Sequence, residues 1–241
     1  MASIQGTSVI GGADLYTSNT QPSGAYIGQY SAGSNGTGFR YAKAGASNLV
    51  VGNMIQSAAI DTQFNDLAVT AGAASQNVIN LTNGTTAISA GDLIGYSATV
   101  SVTPGLGQTF TITGNTAATS GSAFSITVDR NVRVALTTSS KVTIRQNPWN
   151  AVIQSPATTL TGVPAGACIF IINAGEYGWL QTHGIGGALS DNTSIIAGSQ
   201  VSVPSGTAGA VTLFTGALPA VGYAQQAASS GKVIPVFFQI D

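Results

Sequence analysis

From Ser97 to Gln146 the sequence is written in steps of two. "SATVSV" (97–102), "QTFTIT" (108–113), "AFSITV" (123–128), "NVRVAL" (131–136) and "KVTIRQ" (141–146) alternate apolar with polar residues and are rich in Val, Ile, Thr and Phe. Successive side chains of a strand point to opposite faces, so this alternation makes one buried face and one wet face. The runs are short, and turn clusters such as "TPGLG", "TGNTAATSGS" and "TTSS" separate them. The pattern continues in "CIFIIN" (168–173), "QVSV" (200–203), "AVTLF" (210–214) and "KVIPVFFQI" (232–240). Helical periodicity is weak, and one short segment, "IDTQFNDLAV" (60–69), is the helix candidate. Many short strands at this spacing predict an all-β fold with a β-sandwich or barrel-like core.

One local pattern recurs. "LVVGNMI" (49–55), "ISAGDLI" (88–94), "VPAGACI" (163–169) and "IIAGSQV" (195–201) each set a glycine ahead of an apolar run, which reads as a turn launching a strand. Charge marks a possible boundary. From Leu67 to Val128 the only ionic residue is Asp92, whereas "FRYAK" and "DRNVRV" flank the stretch. The expected organisation is therefore a core β domain from residues 1–72 and 148–241, with an inserted β lobe over 73–147. The stretch up to about residue 30 is rich in Gly, Ser and Asn and reads as an extended arm.

Charged residues make up 6% of the chain, against about 25% in an average soluble domain. Hydrophobic residues stand at an ordinary 44%, so Gly, Ser, Thr, Ala and Asn have replaced the charge. Disorder needs low hydrophobicity and high net charge, and this chain has neither. The net charge of −1 leaves no basic stripe for phosphates, so direct nucleic-acid binding is not expected. The longest apolar run, "ACIFII", is too short to span a bilayer, so no membrane role is expected. "MASIQGTSVIGG" offers neither a basic nor a long apolar region, so no secretory signal is expected. A surface so poor in charge repels its own copies weakly, which points to a protein that works packed in an assembly.

The residues that carry chemistry are scarce. One histidine (His183) and one cysteine (Cys168) fall short of the ligands a catalytic zinc needs. The eight acidic residues are scattered singly, unlike a calcium loop. No G-x-S-x-G elbow accompanies His183, and "GIGGAL" is not flanked by a strand and a helix in the dinucleotide-binding manner. No catalytic residue, metal site or cofactor is expected. Cys168, inside "GACIFIIN", reads as a small buried hydrophobe.

The aromatic residues are the remaining candidates. Tyr26, Tyr30, Trp149, Tyr177 and Trp179 are the expected interface residues, because large amphipathic rings are enriched where proteins meet. In "EYGWLQTHGIGGAL" (176–189), strict alternation places Tyr177, Trp179, Gln181 and His183 on one strand face. That face would pack on the core or on a neighbouring subunit.

Four stretches also share a family likeness: "FRYAKAGASNLVVGNMIQ" (39–56), "NPWNAVIQSP" (147–156), "VPAGACIFIINAGEYGWLQTHGIGGAL" (163–189) and "AVTLFTGALPAVGYAQQAASSGKVIPVFFQID" (210–241). Together they resemble the capsid decoration, or cement, proteins of tailed phages. The resemblance covers the two core halves and not the 73–147 lobe. It implies a non-enzymatic virion protein on the outer capsid surface, bound to the shell of major capsid protein, associating with itself as a homotrimer and reinforcing the head. It brings no catalytic residues with it. The alternative is a receptor- or glycan-binding head-fibre or tail module, which would set Trp149 or Trp179 beside Asn or Asp in a shallow groove.

Overall fold

The computed structural model describes residues 8–9, 14–20, 24–191, 195–228 and 231–241. The protein is all-β. Four strands open the chain: β1 (Ser8–Val9), β2 (Tyr30–Ala32), β3 (Gly38–Lys43) and β4 (Met54–Gln56). Six follow as a block: β5 (Leu67–Ala71), β6 (Val78–Thr82), β7 (Ser97–Val102), β8 (Thr109–Asn115), β9 (Ala123–Val128) and β10 (Lys141–Arg145). Seven close the chain: β11 (Ile153–Gln154), β12 (Pro164–Cys168), β13 (Tyr177–Leu189), β14 (Gln200–Ser202), β15 (Thr212–Leu213), β16 (Ala220–Ala224) and β17 (Val233–Gln239). They form two compact units, Met1–Ala59 with Pro148–Asp241, and Ile60–Asn147.

The second unit is a closed barrel in the order β10-β5-β6-β9-β8-β7. Alternation builds its interior strand by strand. Ala98 and Val100, Phe110 and Ile112, Phe124 and Ile126, and Val142 and Ile144 point inward and are buried with Ile79 and Leu81. Bulges between Val69 and Ala71 and between Ile112 and Gly114 bend the ladder, as closure requires. Closure removes free strand edges, which matters for strands with so little charge to keep neighbours away.

This unit begins at Ile60 rather than at residue 73. β5 pairs with β6 and β10 and gives Leu67 and Val69 to the barrel core. The expected boundary misses this, because the turn that carries Asp61 and Asp66 and the uncharged strand β5 belong to the same unit as the barrel. The helix expected over 60–69 is a single 3-10 turn, Thr62–Phe64, where the Asp61 carboxylate accepts from the Gln63 amide at 3.0 Å before β5 begins. "NVRVAL" is not a strand either. Val132 and Leu136 pack into the barrel core, Val134 faces water, and Leu136 bridges to Gly72 alone.

The first unit is an eleven-stranded sheet curled into a half-barrel. Its main path runs β1-β2-β3-β13-β17-β16-β14-β15, with β4, β11 and β12 attached beside β13. β13 is the spine, thirteen residues long, pairing with β3 from Tyr177 to His183, with β17 from His183 to Leu189, and with β12 at Leu180 and Gln181. One apolar cluster gathers Phe238, Val236 and Ile234 with Val201, Val221 and Met54. Another gathers Leu180, Ala42, Leu49, Ile55, Val152 and Ile172. "CIFIIN" is a strand only to Cys168, after which the chain turns and leaves Phe170 and Ile171 exposed.

The glycine turns launch strands at Gly52 before β4 and at Gly198 before β14, with φ of 81° and 82°. A buried apolar residue anchors each turn through one bridge, Leu49 to Ile172 and Ile195 to Ala228. The same device stands at Gly121 before β9 and Gly175 before β13. Gly166 departs from it and lies inside β12.

The described residues of the N-terminal stretch do not project as an arm. Asn19 exchanges both backbone hydrogen bonds with Tyr177, at 3.0 and 2.8 Å, and β1 runs parallel to β2. The Glu176 carboxylate accepts from the Ser18 hydroxyl. A strand edge with unpaired amides and carbonyls recruits such a partner. Arm positions 1–7, 10–13 and 21–23 lie outside the described residues.

Candidate functional site

β3 and β13 pair so that Tyr41 faces Trp179 and Lys43 faces Tyr177. The rings of Tyr41 and Trp179 are 5.0 Å apart, and Tyr41 stacks on Tyr177 at 6.0 Å with 12° between planes. The Lys43 ammonium lies 5.4 Å from the Tyr177 ring centroid. Phe39 completes the cluster, and Leu15 and Ala25 pack against it. Tyr41 is fully buried and Trp179 is 6% exposed, so Trp179 is a core residue rather than a platform.

The neighbouring residue on β3, Arg40, points the other way and organises a second group. Its guanidinium lies 5.1 Å from the Tyr30 ring centroid and 4.8 Å from that of Trp149. Its Nη1 donates to the Gly28 carbonyl at 2.8 Å, and its Nε pairs with the Asp241 carboxylate. The Trp149 indole N–H donates to the Ala165 carbonyl at 3.0 Å. Beside Trp149 opens a groove of about 320 Å³, walled by Pro148, Val163, Pro164, Pro219 and Ala220, with Ile240 and Asp241.

The five candidate aromatics therefore form no single platform. Tyr177 and Trp179 meet through Tyr41 on one face of β3. Tyr30 and Trp149 meet through Arg40 on the other. Tyr26 stands apart, 65% exposed, in a turn closed by the Gln29 amide donating to its carbonyl at 2.9 Å.

The single face expected for Tyr177, Trp179, Gln181 and His183 is also broken. Gln181 pairs with Phe39 but His183 pairs with Gly38, so Thr182 is an extra residue in the strand. Such a bulge reverses the side-chain phase beyond it. The Gln181 side chain is buried and its Nε2 donates to the carbonyls of His183, at 3.1 Å, and Ile185, at 3.0 Å. His183 joins Ile185 on the opposite face, where its ring meets Phe237 edge-on at 5.4 Å.

That opposite face is open. His183, Ile185, Gly187 and Leu189 stand across from Gln239, Phe237, Pro235 and Val233, and Tyr223 of β16 continues the Ile185–Phe237 row. Ile185 is 61% and Val233 57% exposed, and Tyr223 is exposed too. No Asp, Glu, Lys or Arg occupies these positions. Gly52, which follows the exposed Val50 and Val51, adjoins the row: a Cβ there would sit 3.0 Å from a Val233 methyl.

The groups with chemical potential are held in structural roles. Burial pushes the Cys168 thiol up to about 11, so it stays protonated at neutral pH, with its Sγ directed at the Phe170 carbonyl. Glu176 is bound by Ser18 and by Asn173 Nδ2 at 2.9 Å, on the turn that precedes β13. Among the described residues no three His, Cys, Asp or Glu side chains gather as a metal site, and no helix is long and apolar enough to cross a membrane.

Sequence reasoning missed Arg40, Ile185, Tyr223 and Phe237. Alternation within "KVIPVFFQI" already put Val233, Pro235 and Phe237 on one uncharged face, which was a usable signal. Nothing local signalled Arg40, whose partners Trp149 and Asp241 lie far away in the chain. No family model matches the chain, and neither the curated proteins nor the solved structures contain a significant match.

Proposed function

We propose that this chain is a non-enzymatic structural protein of a phage virion, bound to the outer surface of the capsid as a homotrimer and reinforcing the shell of major capsid protein. The observation that carries this reading is the uncharged row Ile185–Phe237–Tyr223 on the open face of the core sheet, extended by Val233 and the Val50–Val51 turn. A contiguous exposed apolar surface costs a free monomer solubility and marks a contact site. Aromatic rings without charge suit the centre of a protein interface. The sparse charge of the whole chain and its resemblance to cement proteins point the same way. In this reading the protein is made in the host cytoplasm, joins assembled heads, and touches neither nucleic acid nor membrane.

The reading as a receptor- or glycan-binding head-fibre or tail module is favoured by one observation only, the position of Trp149 beside Asp241 on a groove. The burial of Trp179 removes the other expected platform.

The test is cosedimentation of the purified protein with expanded, undecorated phage heads, with its mass in solution taken by light scattering. Saturable binding to heads by a trimer is the expected result, lost in Phe237→Asp with the melting temperature kept. A stable monomer that ignores heads, or a Phe237→Asp variant that binds them like the parent, refutes the reading.

A further inference from the structure

We propose that Asn35 is a site of spontaneous covalent modification, in which the backbone nitrogen of Gly36 displaces the side-chain amide and leaves aspartate and isoaspartate. The chain contains two Asn-Gly pairs, Asn35–Gly36 and Asn83–Gly84. A glycine after asparagine presents a backbone nitrogen with no side chain beside it, which leaves the approach to the carboxamide open. The two pairs are alike in sequence, and their surroundings separate them.

Asn35–Gly36 lies in the loop from β2 to β3, closed by the Gly33 amide donating to the Thr37 carbonyl at 2.8 Å. Both residues are exposed. Asn35 takes φ 63° and ψ 28°, a left-handed shape that interrupts the short 3-10 turn Ser34–Gly36. A Cβ placed on Gly36 would meet nothing within 4 Å, so the ring-forming atoms have room to move. Water reaches the carboxamide and can solvate the charge that develops on its oxygen during attack.

Asn83–Gly84 is the opposite case. Asn83 is only 4% exposed, and its Nδ2 donates to the carbonyls of Thr86 at 2.8 Å and Thr119 at 3.1 Å. The group that would have to leave is therefore held in place. Its Oδ1 is buried and accepts no hydrogen bond among the described residues, so negative charge developing there would find neither donor nor water. Gly84 is confined as well, since a Cβ on it would sit 2.5 Å from the Gln63 carbonyl oxygen.

The chemistry needs only water. The Gly36 nitrogen bonds to Asn35 Cγ, the Cγ–Nδ2 bond breaks, and the Gly36 amide proton leaves with the departing ammonia. Water then opens the cyclic imide. Addition at Cγ gives aspartate, and addition at the Asn35 backbone carbonyl carbon gives isoaspartate, with one more methylene in the main chain. Either product adds one negative charge to a chain whose formal net charge is −1. The loop rests on β13, because a Cβ on Gly184 would sit 3.0 Å from the Gly36 carbonyl oxygen. Gly184 stands between His183 and Ile185, so the new charge arrives at one end of the uncharged open face.

This inference stands apart from shell binding, since it is read on the isolated chain. The full chain is aged in warm, mildly alkaline heavy-oxygen water, then digested in acid and sequenced by mass spectrometry. A second sample is aged unfolded in guanidinium. In the native chain, amide loss at residue 35 is expected to run about tenfold or more faster than at residue 83, because a buried site reacts only through local opening. In guanidinium the two rates should converge. Aspartate and isoaspartate should both form at residue 35, each carrying one heavy oxygen. Asn35→Gln, which would need a larger ring, should keep its charge on ion exchange while the parent gains an acidic form. The proposal is overturned if the two native sites lose amide at equal rates, or if residue 35 stays intact while the unfolded chain reacts there. Aspartate alone at residue 35 would also overturn it, since direct hydrolysis without a ring gives that product.

Discussion

Replacing Trp179 by alanine probes the centre of the core unit. The side chain is 6% exposed and lies against Tyr41 at 5.0 Å. An aromatic side chain buries about 150–250 Å², which at about 25 cal/mol per Å² is about 4–6 kcal/mol of transfer free energy. That figure is an upper bound, because an unfolded chain already hides part of its apolar surface. The aromatic pairing adds about 0.5–1.5 kcal/mol. Deletions of this kind cost about 3–5 kcal/mol in practice, so a loss of about 4 kcal/mol is expected for Trp179→Ala. Set against a typical stability of about 5–15 kcal/mol, this leaves the core unit marginal. The assay is guanidinium denaturation followed by fluorescence and by far-ultraviolet circular dichroism. Both tryptophans lie in the core unit, so fluorescence of the remaining Trp149 reads that unit while dichroism reads both. The core midpoint should fall and the barrel transition should stay. A loss below about 1 kcal/mol would show that Trp179 is not a core anchor, since core truncations of this size cost several times more. An equal shift in the barrel would show that the two units do not unfold separately.

Gly222→Ala would drive a Cβ into the Phe237 carbonyl across the β16–β17 ladder, and a loss of about 1–3 kcal/mol in the same denaturation assay is expected. Gln181→Leu strips the donor from the carbonyls of His183 and Ile185, so a cost of about 1–3 kcal/mol is expected, with amide exchange quickening around Thr182 first. His183→Gln touches only the exposed face beside Phe237, so stability should move by less than about 0.5 kcal/mol and head binding should persist; loss of function in a folded variant would give His183 a role that the geometry does not. With its thiol at about 11, Cys168 is only about one part in a thousand thiolate at pH 8, so a thiol reagent should react with the native protein very slowly and with the denatured protein at once.

Much of the architecture was legible from alternation. Ala98 with Val100, Phe110 with Ile112, and Val142 with Ile144 all turn inward as their spacing demands, because a strand has only two faces and apolar side chains share one. The anchored glycine turns were legible at Gly52 and Gly198 for a similar reason: the backbone shape needed there has φ near 80°, which suits few other residues. "NVRVAL" shows the weakness of the same argument. Its Val132 and Leu136 are buried as plugs of a loop, each bonded by its backbone only to the chain after β5, at Ser75, Gln76 and Gly72, so apolar spacing alone does not make a continuous ladder.

The candidate interface was less legible. Tyr30, Trp149, Tyr177 and Trp179 were found as residue types, but their grouping depends on Arg40, which draws together Gly28, Tyr30, Trp149 and Asp241 from distant parts of the chain. In "EYGWLQTHGIGGAL" the residues by themselves establish a strand, its apolar character and the turn before it. They do not establish which side of that strand is covered. One extra residue, Thr182, shifts the register against β3, buries Gln181 and sends His183 and Ile185 to the open face. Alternation is a local property, read from neighbours in the chain, whereas register belongs to a pair of strands and is settled only when Phe39 and Gly38 find their partners.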